Sequence, residues 1–251
     1  MWNLCITFPQ YRESLWELLE FETEYAVRMA QLEGRNMAET MVDYTEWYYA
    51  SSSKAAPRES KVNLMNSLLT VEERRSFFQN KVVPEQERRF SEERKSIRQS
   101  YSGFIVERER EYYSDSPEYL MTLHFRNFFA PASPFEHIDE LASGLLQLTL
   151  DFHSSYPETR RVQCASWLNN VPRFCSLFPP EWMRNRTLCL PMEASTGWWG
   201  SFIDKTGQFS KERAEQFRKM GGFAMPNMHC RCEISSLLRH LKSIVGEGCL
   251  Q

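Results

Sequence analysis

Long apolar runs are missing from this chain. No segment approaches the ~18 uncharged apolar residues that a membrane-spanning helix needs, and Met1-Trp2-Asn3-Leu4-Cys5-Ile6 has no basic stretch leading into an apolar one. A cytoplasmic protein without a membrane partner is the expectation. A surplus of either charge is missing too: 30 Lys and Arg against 33 Asp and Glu leave a net charge of −3. That balance lacks the broad cationic surface through which counterion release drives nucleic-acid binding, so a nucleic-acid partner is not expected. Internal repeats and low-complexity tracts are absent as well. The seven cysteines are an odd count in a chain long enough to fold without cross-links, which fits reduced thiols.

Apolar surface is plentiful. With 42% apolar residues, seven Trp and seventeen Phe, 251 residues can fill the core of one large domain or two small ones. Ser14 with Glu17 has the spacing of a reciprocal helix cap. Leu15, Leu18, Leu19, Tyr25, Ala26, Met29 and Leu32 then recur on one helical face as far as Gly34. A second helix is expected over 37–49, with Met41, Tyr44, Trp47 and Tyr48 inward, and a loop over 51–57. Thr70 with Glu73 repeats the cap spacing, and Pro84 divides 62–100 into two or three helices. The alternating charges of 85–98 read as a solvated face with internal ion pairs, or as a binding surface.

At Gly103 the period changes to two. Phe104, Val106, Arg108 and Arg110 alternate with Ile105, Glu107, Glu109 and Glu111. After Ser114-Asp115-Ser116-Pro117 a second alternating run starts at Tyr119, so a hairpin is expected. Its second strand puts Met121, Leu123 and Phe125 on one side and Thr122, His124 and Arg126 on the other. Ser133-Pro134-Phe135-Glu136 combines a capping hydroxyl, an early proline and a first-turn carboxylate. It opens a helix whose stripe is Ile138, Leu141, Leu145, Leu148 and Phe152, with Pro157 beyond its end. Val162, Cys164, Ser166 and Leu168 alternate with Gln163, Ala165 and Trp167 as a third strand. Thr187 to Leu190 offers a small further one, and helices are expected over about 210–220, ending at Gly221-Gly222, and about 233–245. The expected fold is α+β: a helical region over 1–100 packed on a small mixed β-sheet flanked by helices over 101–251.

Tyr156-Pro157-Glu158, Cys164-Ala165-Ser166-Trp167-Leu168-Asn169 and Leu177-Phe178-Pro179-Pro180, following a strand and a Ser-Pro-capped helix, resemble the corresponding stretch of bacterial GNAT-like acyltransferases with a helical N-terminal region. The resemblance spans about 119–180. It implies a sheet of the N-acyltransferase type, in which a thioester, acyl-CoA or a carrier-bound acyl group, inserts between splayed strands. Such sites usually carry an Arg/Gln-x-x-Gly-x-Gly/Ala loop that cradles a pyrophosphate at a helix start. Here Arg218-Lys219-Met220-Gly221-Gly222-Phe223 places Phe223 at the second small position and follows a helix, so the glycines read as a helix C-cap.

Acyl transfer to an amine of a small molecule or a carrier-bound intermediate assigns His124 as general base and Glu107 as its orienter. The same two residues also suit a surface histidine among cross-strand ion pairs. Trp167, Asn169, Trp198 and Trp199 would wall the cofactor cleft. The indoles of Gly197-Trp198-Trp199-Gly200 fit either a stacking platform or a packed core. Cys164 and Ser166 share a strand face as a nucleophile pair or as small buried residues. His229-Cys230-Arg231-Cys232 holds zinc ligand types, with Cys189 as a remote fourth, but single-residue spacing aims two thiolates poorly at one ion, and no metal is expected there. A non-heme iron oxygenase is a second possibility, although none of the five histidines has Glu three residues before it. His137 with Glu140, and Asp151 with His153, are the residues left to it. A non-catalytic helical adaptor is a third. The oligomeric state is not legible.

Overall fold

Local caps decide where the helices begin. The computed structural model describes residues 7–51, 55–96, 101–110, 118–129, 132–189, 199–204, 206–222 and 225–246. They divide into two compact units: one drawn from 2–97 and 193–222, the other from 98–192 and 223–251. Residues 199–222, which a single boundary near residue 100 assigns to the α+β region, thus belong with the helices.

In the helical unit, α1 spans Phe8–Glu33, α2 Met37–Tyr44, α3 Trp47–Ala50, α4 Arg58–Asn66, α5 Val71–Phe77 and α6 Val83–Ser96. Helix α1 starts ahead of Ser14. Thr7 donates its backbone N–H to Gln10 Oε1 at 2.9 Å, and Pro9 sits in the first turn. The spacing of Ser14 and Glu17 therefore falls mid-helix, where Ser14 is buried. The helix ends as expected, with Gly34 left-handed at φ 63°. Leu32, expected inside, is 70% exposed. The buried side of α1 is instead Tyr11, Leu15, Leu19, Ala26 and Ala30 in one core, while Phe21 meets Phe202 and Phe217, with ring centroids 4.7 and 5.5 Å away.

The helix expected over 37–49 is broken at Thr45. Glu22 Oε2 accepts the Glu46 N–H at 2.7 Å, and Trp47 Nε1 donates to Thr23 at 2.8 Å, so a buried polar pair on α1 starts α3 separately. Burial, and after it the negative charge of Glu46, holds the Glu22 carboxyl well above its ordinary value near 4.5. The folded chain thus binds this proton more tightly than the unfolded one. The associated stability is present at acid pH and is lost as pH rises through the raised value. Glu22→Gln, whose amide oxygen can still accept the Glu46 N–H, is expected to raise the melting temperature at pH 7 and to flatten its fall between pH 5 and 7. A lower melting temperature across that range counts against it.

Thr70 and Glu73 cap α5 reciprocally, with Glu73 N–H to Thr70 Oγ1 at 3.2 Å and Thr70 N–H to Glu73 Oε2 at 2.9 Å. Pro84 does not split this segment. A π-helical turn, Phe78–Val82, widens the ladder just before it, so α5 runs through to α6 despite the missing N–H. Arg88 and Arg89 pair with Glu85 and Glu92 along α6.

The second unit is a five-stranded mixed sheet of order β1-β2-β3-β5-β4: β1 Phe104–Arg110, β2 Tyr119–Phe125, β3 Arg161–Ser166, β4 Thr187–Leu188 and β5 Met228–Glu233. The hairpin register pairs Phe104 with Phe125 and Glu107 with Thr122. Ser133 accepts the Phe135 N–H and opens a single 3-10 turn, Pro134–Glu136. Helix α7, Ile138–Ser155, follows with His137 at its start. Leu141, Leu145, Leu148 and Phe152 lie along its buried face, as the stripe predicts. Strand β2, α7 and β3 form a parallel crossover.

Two short helices, α8 (Pro172–Cys175) and α9 (Pro180–Arg184), follow β3. Helix α10, Lys211–Met220, ends at Gly221 (φ 69°) in the helical unit, and α11, Ile234–Val245, closes the sheet unit. One core face of the sheet, formed by Phe104, Met121, Leu123, Val162, Cys164, Cys230 and Cys232, packs with Leu141 and Leu145 of α7 and Leu237 and Leu241 of α11. Among the described residues no helix is long and apolar enough to cross a membrane.

Candidate functional site

With the apolar alternates turned toward α7 and α11, the other alternates make a polar face. On it stand Glu107 and Glu109 of β1, Thr122 and His124 of β2, Gln163 and Ala165 of β3, and His229 and Arg231 of β5. Their neighbours across the sheet are set by the pairs Glu107 with Thr122, Thr122 with Gln163, Gln163 with Arg231, and Ala165 with His229. His124 and Ala165 stand level, two residues beyond the Thr122–Gln163 pair. One row therefore runs from His124 over the small, exposed Ala165 to His229.

Hydrogen bonds join this face across four strands. Thr122 Oγ1 donates to Glu109 Oε2 at 2.8 Å, Gln163 Nε2 donates to Thr122 Oγ1 at 3.0 Å, and His229 Nε2 lies 2.9 Å from Gln163 Oε1. Beside this chain, His124 Nε2 is 3.4 Å from Glu107 Oε2. Both side chains are open to solvent, 48% and 62% exposed, so their mutual attraction is weak in the resting protein.

The parallel pair β2 and β3 is joined only over Leu120–Thr122 and Arg161–Gln163, although the strands continue to Phe125 and Ser166. Beyond Thr122 and Gln163 the two carboxyl-terminal ends carry no mutual ladder. The carboxyl ends of parallel strands are where open α/β sheets take ligands.

The other expected site residues lie elsewhere. Asn169 does not line a cleft. Strand β3 stops at Ser166, and Trp167–Asn170 form a 3-10 turn that carries Asn169 inside, 0% exposed. Its Nδ2 donates to the carbonyls of Cys164 (3.0 Å) and Met228 (2.7 Å), and its Oδ1 accepts from Trp182 Nε1 (3.0 Å). Trp167 is half-buried against the sheet core. Trp199 is 1% exposed within the helical unit, edge-on to Phe21 and Tyr25 at 6.0 and 5.7 Å. It is a core residue, not a cleft wall. Trp198 lies outside the described residues.

Cys164 is buried, and burial pushes its thiol up to about 12. Cys230, its partner across the strands, is likewise pushed up to about 12. Ser166 spends its hydroxyl oxygen on the Leu168 N–H at 3.1 Å. Neither is an activated nucleophile. On β5, Cys230 and Cys232 face the core, while His229 and Arg231 face away, so these ligand types cannot converge on one ion. Among the described residues no three His, Cys, Asp or Glu side chains are grouped to hold a metal. His137 stacks on Phe129 with centroids 4.2 Å apart and meets Glu140 at 2.9 Å, and Asp151 accepts from Tyr101 and Gln147.

The helical unit carries a shallow groove of about 620 Å³ beside α1. Its acids are matched by bases: Glu17 with Lys211 (2.9 Å), Glu20 with Arg74 (2.6 Å) and Glu24 with Arg218 (2.6 Å). These pairs leave little charge with which to select a ligand.

Sequence reasoning misses Gln163 and reaches His229 only as one of the zinc ligand types. The signal for them is the alternation Cys230, Cys232 against His229, Arg231, Glu233, which marks a strand with one buried face. No protein-family model, no curated protein and no solved structure matches this chain.

Proposed function

We propose that the sheet unit is an acyltransferase-like enzyme that moves an acyl group from a thioester to an amine of a small molecule or of a carrier-bound intermediate. The observation that carries this is the early end of the β2–β3 ladder, at the carboxyl ends of two parallel strands and beside His124. Backbone N–H and C=O groups of Leu123–Phe125 and Ala165–Ser166, which do not pair with each other, flank the opening. They suit an amide-bearing pantetheine arm in the way a sheet edge accepts an extended peptide.

The first turns leading into α7 hold Glu136, Asp139 and Glu140. These carboxylates oppose a pyrophosphate at that helix start. The balance favours an arm mounted on a carrier over free acyl-CoA.

In the reaction, the amine nitrogen attacks the thioester carbonyl carbon while a ring nitrogen of His124 takes an amine proton. The C–S bond then breaks and the sulfur leaves as thiol after accepting a proton. Glu107, 3.4 Å from His124 Nε2, orients the ring. His124→Ala is expected to abolish amine acylation from acyl-pantetheine or from a loaded carrier, with the circular dichroism spectrum and melting temperature unchanged. Undiminished activity in that variant removes His124 from the mechanism, and no acylation by the wild-type protein with either donor or with acyl-CoA rejects acyl transfer itself.

A further inference from the structure

Ala165 is exposed although it stands on β3, which has a strand on either side. A side chain on an inner strand is ordinarily shielded by the residues opposite it, so its neighbours here stand clear of it. The register names them. Ala165 faces His229 of β5 directly, and it comes level with His124 of β2 two residues beyond the last Thr122–Gln163 pair. Both rings are drawn elsewhere. His124 Nε2 lies 3.4 Å from Glu107 Oε2 on β1, and His229 Nε2 lies 2.9 Å from Gln163 Oε1, two residues short of Ala165.

We infer that Ala165 is the specificity-determining residue of the acceptor site: it floors a slot one side chain wide that admits an unbranched primary amine on a methylene chain and excludes an amine branched at the carbon bearing nitrogen. Neighbouring strands about 4.8 Å apart put the backbones of His124 and His229 about 10 Å from each other, with Ala165 between them. Carbon atoms in contact lie about 3.5–4.0 Å apart, so a gap of that width between two imidazoles holds one chain of single-carbon width. A second substituent meets a ring.

Only the role of acceptor site rests on the acyl-transfer proposal; the shape of the slot does not. In that reaction the amine has to touch a ring nitrogen of His124 and also the thioester carbonyl at the opening where the β2–β3 ladder has ended. Ala165 is the β3 residue beside that opening on the face that His124 shares. Gln163 closes the slot toward the amino end of β3, tied to Thr122 at 3.0 Å and to His229 at 2.9 Å, so the methylene chain leaves toward the carboxyl end. A larger side chain at 165 fills the space in which the amine attacks. Valine suits a strand backbone and puts two further methyl groups there.

Two measurements on the full chain separate the slot from the reaction. In the first, amide and methyl signals of the isotope-labelled protein are followed as n-butylamine or its branched isomer sec-butylamine is added. n-Butylamine is expected to move the Ala165 and His124 signals saturably and sec-butylamine to bind about tenfold more weakly or worse. In the second, kcat/KM for acylation of each isomer from acyl-pantetheine or a loaded carrier is divided by the uncatalysed rate of the same amine with the same donor. The wild type is expected to prefer n-butylamine by about 10–200-fold, the discrimination that one methyl group gives in a fitted site. Ala165→Val is expected to lose the n-butylamine response and a like factor in kcat/KM, and Ala165→Gly to narrow the difference between the isomers. Where acylation occurs the kinetics decide: equal treatment of the two isomers, or a preference unaltered in both variants, overturns the slot. Absence of acylation from every donor, acyl-CoA included, rejects the acyl-transfer proposal and leaves the slot to the spectra, where equal responses to the two isomers, or none to either, overturn it.

Discussion

Gly103→Ala is expected to destabilise the sheet unit by about 3 kcal/mol or more, since a rigid clash and an unfavourable backbone angle act together. Gly103 has φ 102°, and a Cβ there would lie 2.3 Å from the carbonyl oxygen of Arg126, with the Phe125 and Phe128 rings at 3.2 and 3.3 Å. The oxygen cannot retreat cheaply. The Arg126 N–H donates to Gly103 O at 2.8 Å, and this bond ties the entry of β1 to the exit of β2. A drop in melting temperature of roughly 10 °C follows for a chain of this size. Gly34→Ala provides the comparison, because Gly34 is also left-handed, at φ 63°, but its Cβ would meet nothing within 4 Å. It should lose only about 1 kcal/mol. Equal losses in the two variants would contradict the packing described around Gly103.

Asn169→Asp is expected to be worse tolerated still, costing about 4 kcal/mol or more. The side chain is buried and every polar atom is engaged, with the amide nitrogen donating to two carbonyls from β3 and β5. An aspartate would aim a carboxylate oxygen at both. A buried charge facing two acceptors has no compensation, so the carboxyl must either bind a proton or force β3 from β5. Asn169→Ala avoids the charge but leaves two carbonyls and the Trp182 N–H without this partner, for a loss of about 3 kcal/mol. Chemical denaturation followed by tryptophan fluorescence reads both variants. An Asp variant as stable as the wild type at pH 7 is incompatible with the hydrogen bonds around Asn169.

These two residues mark the limit of what a linear reading can extract. Thr70 with Glu73, Gly34, Gly221 and the alternation of β1 and β2 are legible because their causes are local: a cap three residues away, a left-handed stop, a pleat of period two. Ser14 with Glu17 has the same local pattern and misleads, since the cap at Thr7 already started the helix. Pro84 forecasts a break that a single π-helical turn absorbs. Continuing the alternation of β3 past Ser166 puts Asn169 on a cleft wall, but the chain turns there.

At the polar face, His124 and Glu107 can be placed together from the hairpin alone. Their neighbours Gln163 and His229 cannot, because they come from strands 66 residues apart in the chain. Cys230 and Cys232 carry zinc ligand types, yet they are the buried alternates of a simple amphipathic strand. Trp199 shows the same difficulty in reverse. Its glycine neighbours and large ring fit a stacking platform, and only the fold reveals Phe21 and Tyr25 beside it.

The place of β5 between β3 and β4 has a consequence for biosynthesis. The ribosome makes the strand that joins those two after both of them, so β1, β2 and β3 emerge with the inner edge of β3 bare, and β4 has no sheet to join until Met228–Glu233 arrives. During that interval β3 presents one edge without a neighbouring strand, the kind of surface that chaperones hold and that promotes aggregation. Completion of the sheet is thus a late, long-range event in the life of the polypeptide, and the polar chain that ends at His229 cannot exist before it.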